Sequence, residues 1–299
     1  MIFGRIQMSS EEPNTAENTW GFLTDREAEY CQAILGEFER TNYLPLLVAT
    51  IRNAGISSQS MPFLFELRFA KALQNRGLTP VYEQETVGGT TVDFALDAEN
   101  ANSILAELVS INISDAVTEA TQHRTDEDGI EWRSLVLNTN NDDYRFSEEG
   151  EVLLVQQKIC EKAFRNGQEI KLPHPSENRG WNVLVVDMRG FLGGNGGDNA
   201  DCVQLCYGNG AVREFERRYW KFRGQRGPIA GLFEVTNPLR GARVVQEKVH
   251  GILFTRDKTY VDGGLMRRDN SFLMRNPHLM TTEDQWTQLR DAVRGARAG

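Results

Sequence analysis

Residues 60–111 read SMPFLFELRFAKALQNRGLTPVYEQETVGGTTVDFALDAENANSILAELVSI, and their pattern decides the fold. Ser60 is an expected N-cap, and Pro62 falls in a first helical turn, where its missing N–H does no harm. Phe63, Leu64, Leu67, Ala70 and Leu73 recur at helical spacing, and Gly77 is the expected stop. Residues 81–87 read as a strand, Gly88-Gly89 is a hairpin signal, and 91–96 is the returning strand. The run ILAELVSI, 104–111, is apolar enough for a central strand. Glu66 rides on the helix, Asp93 on the second strand and Glu107 on the third, so successive elements of one αβββ unit each carry a carboxylate.

The flanks extend this unit. Residues 1–22, rich in Ser, Glu, Asn and Pro, read as a flexible arm in which Met8 is an alternative start to Met1. Thr24 is an expected cap for a helix with the apolar stripe Ala28, Cys31, Ile34, Leu35 and Phe38. A second helical stretch, 43–54, stops at Gly55. Residues 112–146 are polar, with a candidate strand at 132–137. Ser147 opens a helix whose stripe is Val152, Val155, Ile159 and Ala163. WNVLVVDM, 181–188, is a buried-type strand. The glycine-rich FLGGNGGDNAD that follows has no phosphate-loop spacing and reads as a flexible loop. Residues 248–255 form another expected strand, and 283–294 a helix capped by Thr281 or Thr282. Interleaved helices and strands predict one α/β domain, 23–299, with a mixed sheet and an N-terminal helical segment. Within it, 23–57 are helices, 58–190 the core, and 191–299 an extension.

The chain has 299 residues and a mass of 33.8 kDa, with 40% hydrophobic and 25% charged residues, as in ordinary soluble proteins. No apolar run approaches the roughly 20 residues that span a bilayer, and the N-terminus lacks a secretory h-region. Cys31, Cys160, Cys202 and Cys206 form no disulfide framework, so a reduced, cytoplasmic setting is expected, with Cys202 and Cys206 a buried helical pair. A net charge of −9 disfavours non-specific adhesion to DNA or acidic lipid, yet a local basic patch can still bind nucleic acid. Such a run is REFERRYWKFRGQR, 213–226. Arg213, Arg217, Arg218, Lys221, Arg223 and Trp220 suit a phosphate backbone and unpaired bases. An amphipathic segment with core aromatics is the other reading.

Period-2 alternation puts Glu107 on the face of Leu105 and Val109, a costly place for a bare carboxylate. Asp93 and Glu107 converging at a sheet edge supply the hard oxygen ligands that Mg²⁺ (or Mn²⁺) takes. Such an ion polarises a phosphoryl oxygen and lowers the pKa of a water. Strand-end carboxylates in solvent or in salt bridges are the alternative. Glu66 has a comparable alternative, a surface pair with Lys71 or an adjacent Arg. Asp187 either borders the same cleft or forms a turn.

Helix-Glu, strand, strand-Asp, strand-Glu resembles the core of the PD-(D/E)XK nuclease superfamily, the restriction-endonuclease-like fold. The resemblance covers about residues 60–190. VDF (92–94) stands where PDF would be, Glu107-Leu108-Val109 stands where (D/E)XK would be, and Glu66 takes the place of the helical Glu. It implies a nuclease in which Asp93, Glu107 and Glu66 hold a metal. Val109 replaces the motif lysine that acts on the attacking water. The helix VLLVQQKICEKAFRN carries Lys158 and Lys162 on one face, and some bacterial proteins that this chain resembles pair a lysine-less strand with a helix reading roughly K-I-x-x-K-A. Lys162, with Lys158 beside it, is therefore the expected substitute; solvated lysines paired with Glu161 or Glu151 are the alternative. The resemblance further implies nucleic acid, DNA before RNA, as partner, no membrane, and a homodimer or a larger bacterial or phage-defence assembly. Without a working cation the same scaffold is a catalytically silent nucleic-acid- or partner-binding protein.

Overall fold

Buried strands need cover on both faces, and the helices supply it. A computed structural model describes residues 23–86, 90–96, 103–125, 131–135, 137, 147–177, 180–194, 197–215, 229–256 and 270–294. The expected arm 1–22, the Gly88-Gly89 hairpin signal and most of the basic-aromatic run lie outside these residues. The strands are β1 (Pro80–Glu85), β2 (Thr91–Leu96), β3 (Ile104–Ser110), β4 (Thr121–Thr125), β5 (Glu131–Leu135), β6 (Phe164–Arg165), β7 (Gln168–Glu169), β8 (Trp181–Asp187), β9 (Gly251–Thr255) and β10 (Ser271–Arg275). Six of them form one sheet in the order β1-β2-β3-β8-β9-β10. The β3–β8 and β8–β9 pairs are parallel; β1–β2, β2–β3 and β9–β10 are antiparallel. The chain is thus α/β with a central mixed sheet, and strands from beyond residue 190 complete it.

On one face lie α1 (Asp25–Thr41), α2 (Pro45–Ala54), α3 (Met61–Gln74) and α8 (Glu283–Arg294). On the other lie α5 (Glu148–Ala163), α6 (Asn199–Phe215) and α7 (Arg240–Lys248). A short α4 (Asp115–Ala120) precedes the β4–β5 hairpin in the polar stretch. Along β3, Ile104, Ala106 and Leu108 pack into the first layer, and Leu105 and Val109 into the second. Glu107 therefore belongs to the layer of α5, as alternation requires.

The helix starts follow side-chain chemistry. Thr24 Oγ1 accepts from Glu27 N at 3.2 Å, and Ser147 Oγ from Gly150 N at 3.0 Å. Thr282 and Gln285 bond each other's backbone N–H at 3.2 Å, which settles the α8 cap on Thr282. Three expectations are corrected. The Ser60 hydroxyl turns back to the Gly55 carbonyl at 2.6 Å and closes a preceding 3₁₀ turn, so it does not cap α3. Leu44 is left-handed (φ 46°), so α2 begins at Pro45 and not at 43. Residues 248–250 are not strand: the buried Ala242, Val244 and Val245 hold α7 through Lys248, and β9 starts at Gly251. The α7 helix also lies close on α5, where a Cβ on Gly241 would stand 2.5 Å from Cys160 Cβ.

A four-membered ion cluster ties α1 and α3 to the end of β8. Arg68 reaches Glu27 at 3.4 Å and Asp187 at 3.3 Å, and Arg189 reaches the same two carboxylates. All four side chains are at most 7% exposed. Asp187 also forms the expected turn, its Oδ1 accepting from Arg189 N at 3.0 Å while its Oδ2 meets the two guanidinium groups. Two guanidinium groups balance two carboxylates, so the cluster tolerates burial only while complete. Arg68→Met leaves one buried carboxylate underpaired and is expected to lower unfolding free energy by about 3–5 kcal/mol in urea titration. A loss below about 1 kcal/mol, the worth of an exposed pair, contradicts this reading of the cluster.

Candidate functional site

The site forms where β2 and β3 part. Their ladder pairs Phe94 with Ala106 and goes no further, so Asp93 and Glu107 face each other beyond its last rung. Side chains take over the freed backbone donors. Leu108 N donates to Asp93 Oδ2 at 2.7 Å, and Asp93 N to Glu107 Oε2 at 3.3 Å. On the other side, the β1–β2 register omits Glu83, which would oppose Asp93 and has φ 52°. The alternation of β2 slips there too: Phe94 and Leu96 pack on the α3 side, Val92 on the α5 side. This local irregularity lets both carboxylates sit at one point of the sheet.

Glu107 is fully buried. Its Oε1 accepts from Lys162 Nζ at 2.9 Å and from Lys171 Nζ at 2.5 Å. Lys171 Nζ also stands 3.8 Å from Asp93 Oδ1, so its ammonium bridges the two carboxylates. Burial and then the charge of Asp93 raise the Glu107 pKa, while the two lysines pull it down. Burial alone would lower the Lys162 pKa, but Glu107, Asp93 and Glu66 more than offset it and raise it, so Lys162 is an ammonium. Two ammonium donors on one oxygen describe an ionised acceptor.

Glu66 stands at the rim of this group. Its Oε2 accepts from the Tyr82 hydroxyl at 2.7 Å. Burial, then Asp93, pushes its carboxyl up to about 7, against the lowering effects of Tyr82 and Lys162. Lys71 pairs with Glu37 at 2.7 Å instead of with Glu66. Three carboxyl groups thus face the ammonium groups of Lys162 and Lys171.

The structure brings together Glu66, Asp93, Glu107 and Lys162, and leaves Lys158 outside. Lys158 is about half exposed and pairs with Glu161 at 3.2 Å, which removes it as a second candidate. Arg213 falls in α6, while Arg217, Arg218, Trp220, Lys221 and Arg223 lie outside the described residues. Cys202 and Cys206 are buried in α6.

Sequence reasoning missed Lys171 and Tyr82. Lys171 sits between β7 and β8 in the left-handed region (φ 65°), which is strained for a residue with a side chain. Its loop is pinned from three sides. Thr86 Oγ1 donates to the Lys171 carbonyl at 3.0 Å, Lys248 Nζ to the Leu172 carbonyl at 3.1 Å, and Asn182 Nδ2 to the Pro173 carbonyl at 2.7 Å. Leu172 is buried.

The donor set suits a hard divalent cation: two carboxylates converge, and a positive group already stands between them. Among the described residues, no three His, Cys, Asp or Glu side chains group closely enough to hold an ion by themselves. Mg²⁺ commonly takes only one or two carboxylates and completes its shell with water and phosphate oxygens. No known family, curated protein or solved structure matches the chain.

The pairing of Lys162 with a fully buried carboxylate should be measurable. Lys162→Met is expected to cost about 2–4 kcal/mol of stability, because Glu107 loses one of two counter-charges in a low-dielectric site. Adding Glu107→Gln should recover part of it, with a coupling of about 1–3 kcal/mol in a double-mutant cycle read by denaturant titration. Lys158→Met should change stability by less than about 0.5 kcal/mol. Equal effects at 158 and 162, or no coupling, contradict the pairing.

Proposed function

We propose that this protein is a metal-dependent nuclease of the PD-(D/E)XK type, built on a restriction-endonuclease-like core and hydrolysing phosphodiester bonds of DNA or RNA. The observation that carries the reading is the reach of Lys162. The third strand has Val109 where the family has lysine, and an ammonium from α5 arrives 2.9 Å from Glu107 Oε1 instead. A charge that arrives from another element at the expected place is hard to account for as surface decoration.

In this reading Asp93 and Glu107 hold Mg²⁺ or Mn²⁺, with Glu66 beside them. The ion supplies charge neutralisation at a phosphoryl oxygen and acidifies a water. Lys162, as an ammonium, does not take a proton at neutral pH. It orients water by donating to it and offsets negative charge developing on the phosphate. Glu66 has its carboxyl pushed up to about 7 in the metal-free protein, and a divalent ion beside it would draw that value down and favour the carboxylate. Tyr82 fixes the direction of that carboxyl. The Arg213–Arg226 run is the proposed nucleic-acid contact.

One observation favours a second reading, a catalytically silent binding protein. Lys171 already bridges Asp93 and Glu107, so the carboxylates are compensated without a metal. Cleavage assays separate the two. The nuclease reading expects Mg²⁺- or Mn²⁺-dependent cleavage, abolished by EDTA and lowered at least about 100-fold by Asp93→Ala, Glu107→Ala or Lys162→Ala. Absence of cleavage on single- and double-stranded DNA and RNA, or activity that survives Asp93→Ala and Glu107→Ala, sinks it. Binding that EDTA leaves intact and that Arg217→Ala/Arg218→Ala abolishes supports the silent protein.

A further inference from the structure

The ion pairs around Glu107 are unequal. Among the described residues Lys162 ion-pairs with Glu107 alone, whereas Lys171 stands between Glu107 Oε1 at 2.5 Å and Asp93 Oδ1 at 3.8 Å. Its ammonium hydrogen-bonds Glu107 and lies within ion-pair range of Asp93, so it occupies the space between the two carboxylates. The two lysines also differ in support. Lys162 issues from the last turn of α5, beside the buried Ile159 and Ala163. Lys171 issues from a loop whose backbone is pinned through the carbonyls of residues 171, 172 and 173, at a strained φ of 65°. Such strain persists only where the surroundings impose it, and here the three carbonyl contacts hold the backbone from which the side chain extends. Four methylenes separate that fixed backbone from the ammonium, so the charge can leave the carboxylates by side-chain torsion alone.

We propose that Lys171 is a resident counter-cation that exchanges with a divalent metal ion: it occupies the Asp93–Glu107 pair in the metal-free protein and is released when the pair takes a metal. This rests on the reading of the pair as a metal site. Two like charges cannot share the gap between the same oxygens, so occupancy by one lowers affinity for the other. Lys162 needs no such exchange, because it flanks one carboxylate. The device keeps two adjacent carboxylates compensated in the absence of metal, and it sets metal affinity below what the bare pair would give. Lys171 is then a positioning residue for the metal-free state, separate in role from Lys162.

The test is calorimetric titration of MnCl₂ alone into the wild-type chain and Lys171→Met, paired with amine-reactive labelling of the wild type read by mass spectrometry. Exchange predicts that Lys171→Met binds Mn²⁺ at least roughly tenfold more tightly than wild type. It also predicts that Mn²⁺ raises labelling of Lys171 but not of Lys162. Binding by Lys171→Met with none in wild type supports exchange as well, since the ammonium then wins outright. Equal or weaker affinity in Lys171→Met, with Lys171 labelling unchanged by Mn²⁺, overturns exchange and leaves the metal site standing. Absence of Mn²⁺ heat in both proteins overturns exchange together with the metal site. If Lys171→Met fails to fold, the wild-type labelling decides alone.

Discussion

One carboxylate sets the constraints on this molecule. Glu107 is fully buried on a central strand, in a layer otherwise filled by Leu105, Val109 and the apolar stripe of α5. An unpaired carboxylate there would either take up a proton or carry a desolvation cost that weighs heavily against a domain stability of about 5–15 kcal/mol. The fold answers by bringing two ammonium groups from two other elements to one of its oxygens. Each of those elements has its own anchors: α5 packs against α7 at Gly241, and the Lys171 loop is fixed by Thr86, Lys248 and Asn182. The carboxylate therefore couples β3, α5, α7, the β1–β2 hairpin and the approach to β8.

The opening of the β2–β3 ladder is what makes this arrangement useful. Had the ladder continued past Phe94–Ala106, the backbone groups of Asp93 and Leu108 would pair with each other's strands. Instead their N–H groups are held by carboxylate oxygens, which ties each acid to the facing strand. Glu83, left-handed opposite Asp93, is the cost of that irregularity on the neighbouring strand. On the other face, the Glu27–Arg68–Asp187–Arg189 cluster holds α1 and α3 against the end of β8. That placement keeps α3, and with it Glu66, against Tyr82 and the acidic pair.

Elements with strong periodicity were legible in the sequence. The bounds of β2, the stripe of α5, the caps Thr24 and Ser147 and the facing of Glu107 all follow from local chemistry and spacing. Lys162 was legible because it stands beside that stripe. Residues placed by tertiary contacts were not. Lys171 sits in an irregular link, and its position depends on partners as distant as Thr86 and Lys248. Tyr82 read only as a strand residue until its hydroxyl met Glu66. On α3 the expected stripe was too narrow: Phe65, Arg68 and Phe69 are buried as well, because that helix lies between the sheet and α1–α2. The buried Arg68 in turn required Glu27 and Asp187, from elements on either side of it in the chain.

The central claim is that Asp93 and Glu107 form a divalent cation site flanked by Lys162. Anomalous diffraction from crystals soaked in MnCl₂ tests it most directly. A manganese peak is expected within about 2.5 Å of a carboxylate oxygen of each residue, with Lys162 still on Glu107. Saturating soaks that give no peak at the pair, or a peak bound only elsewhere on the protein, contradict it.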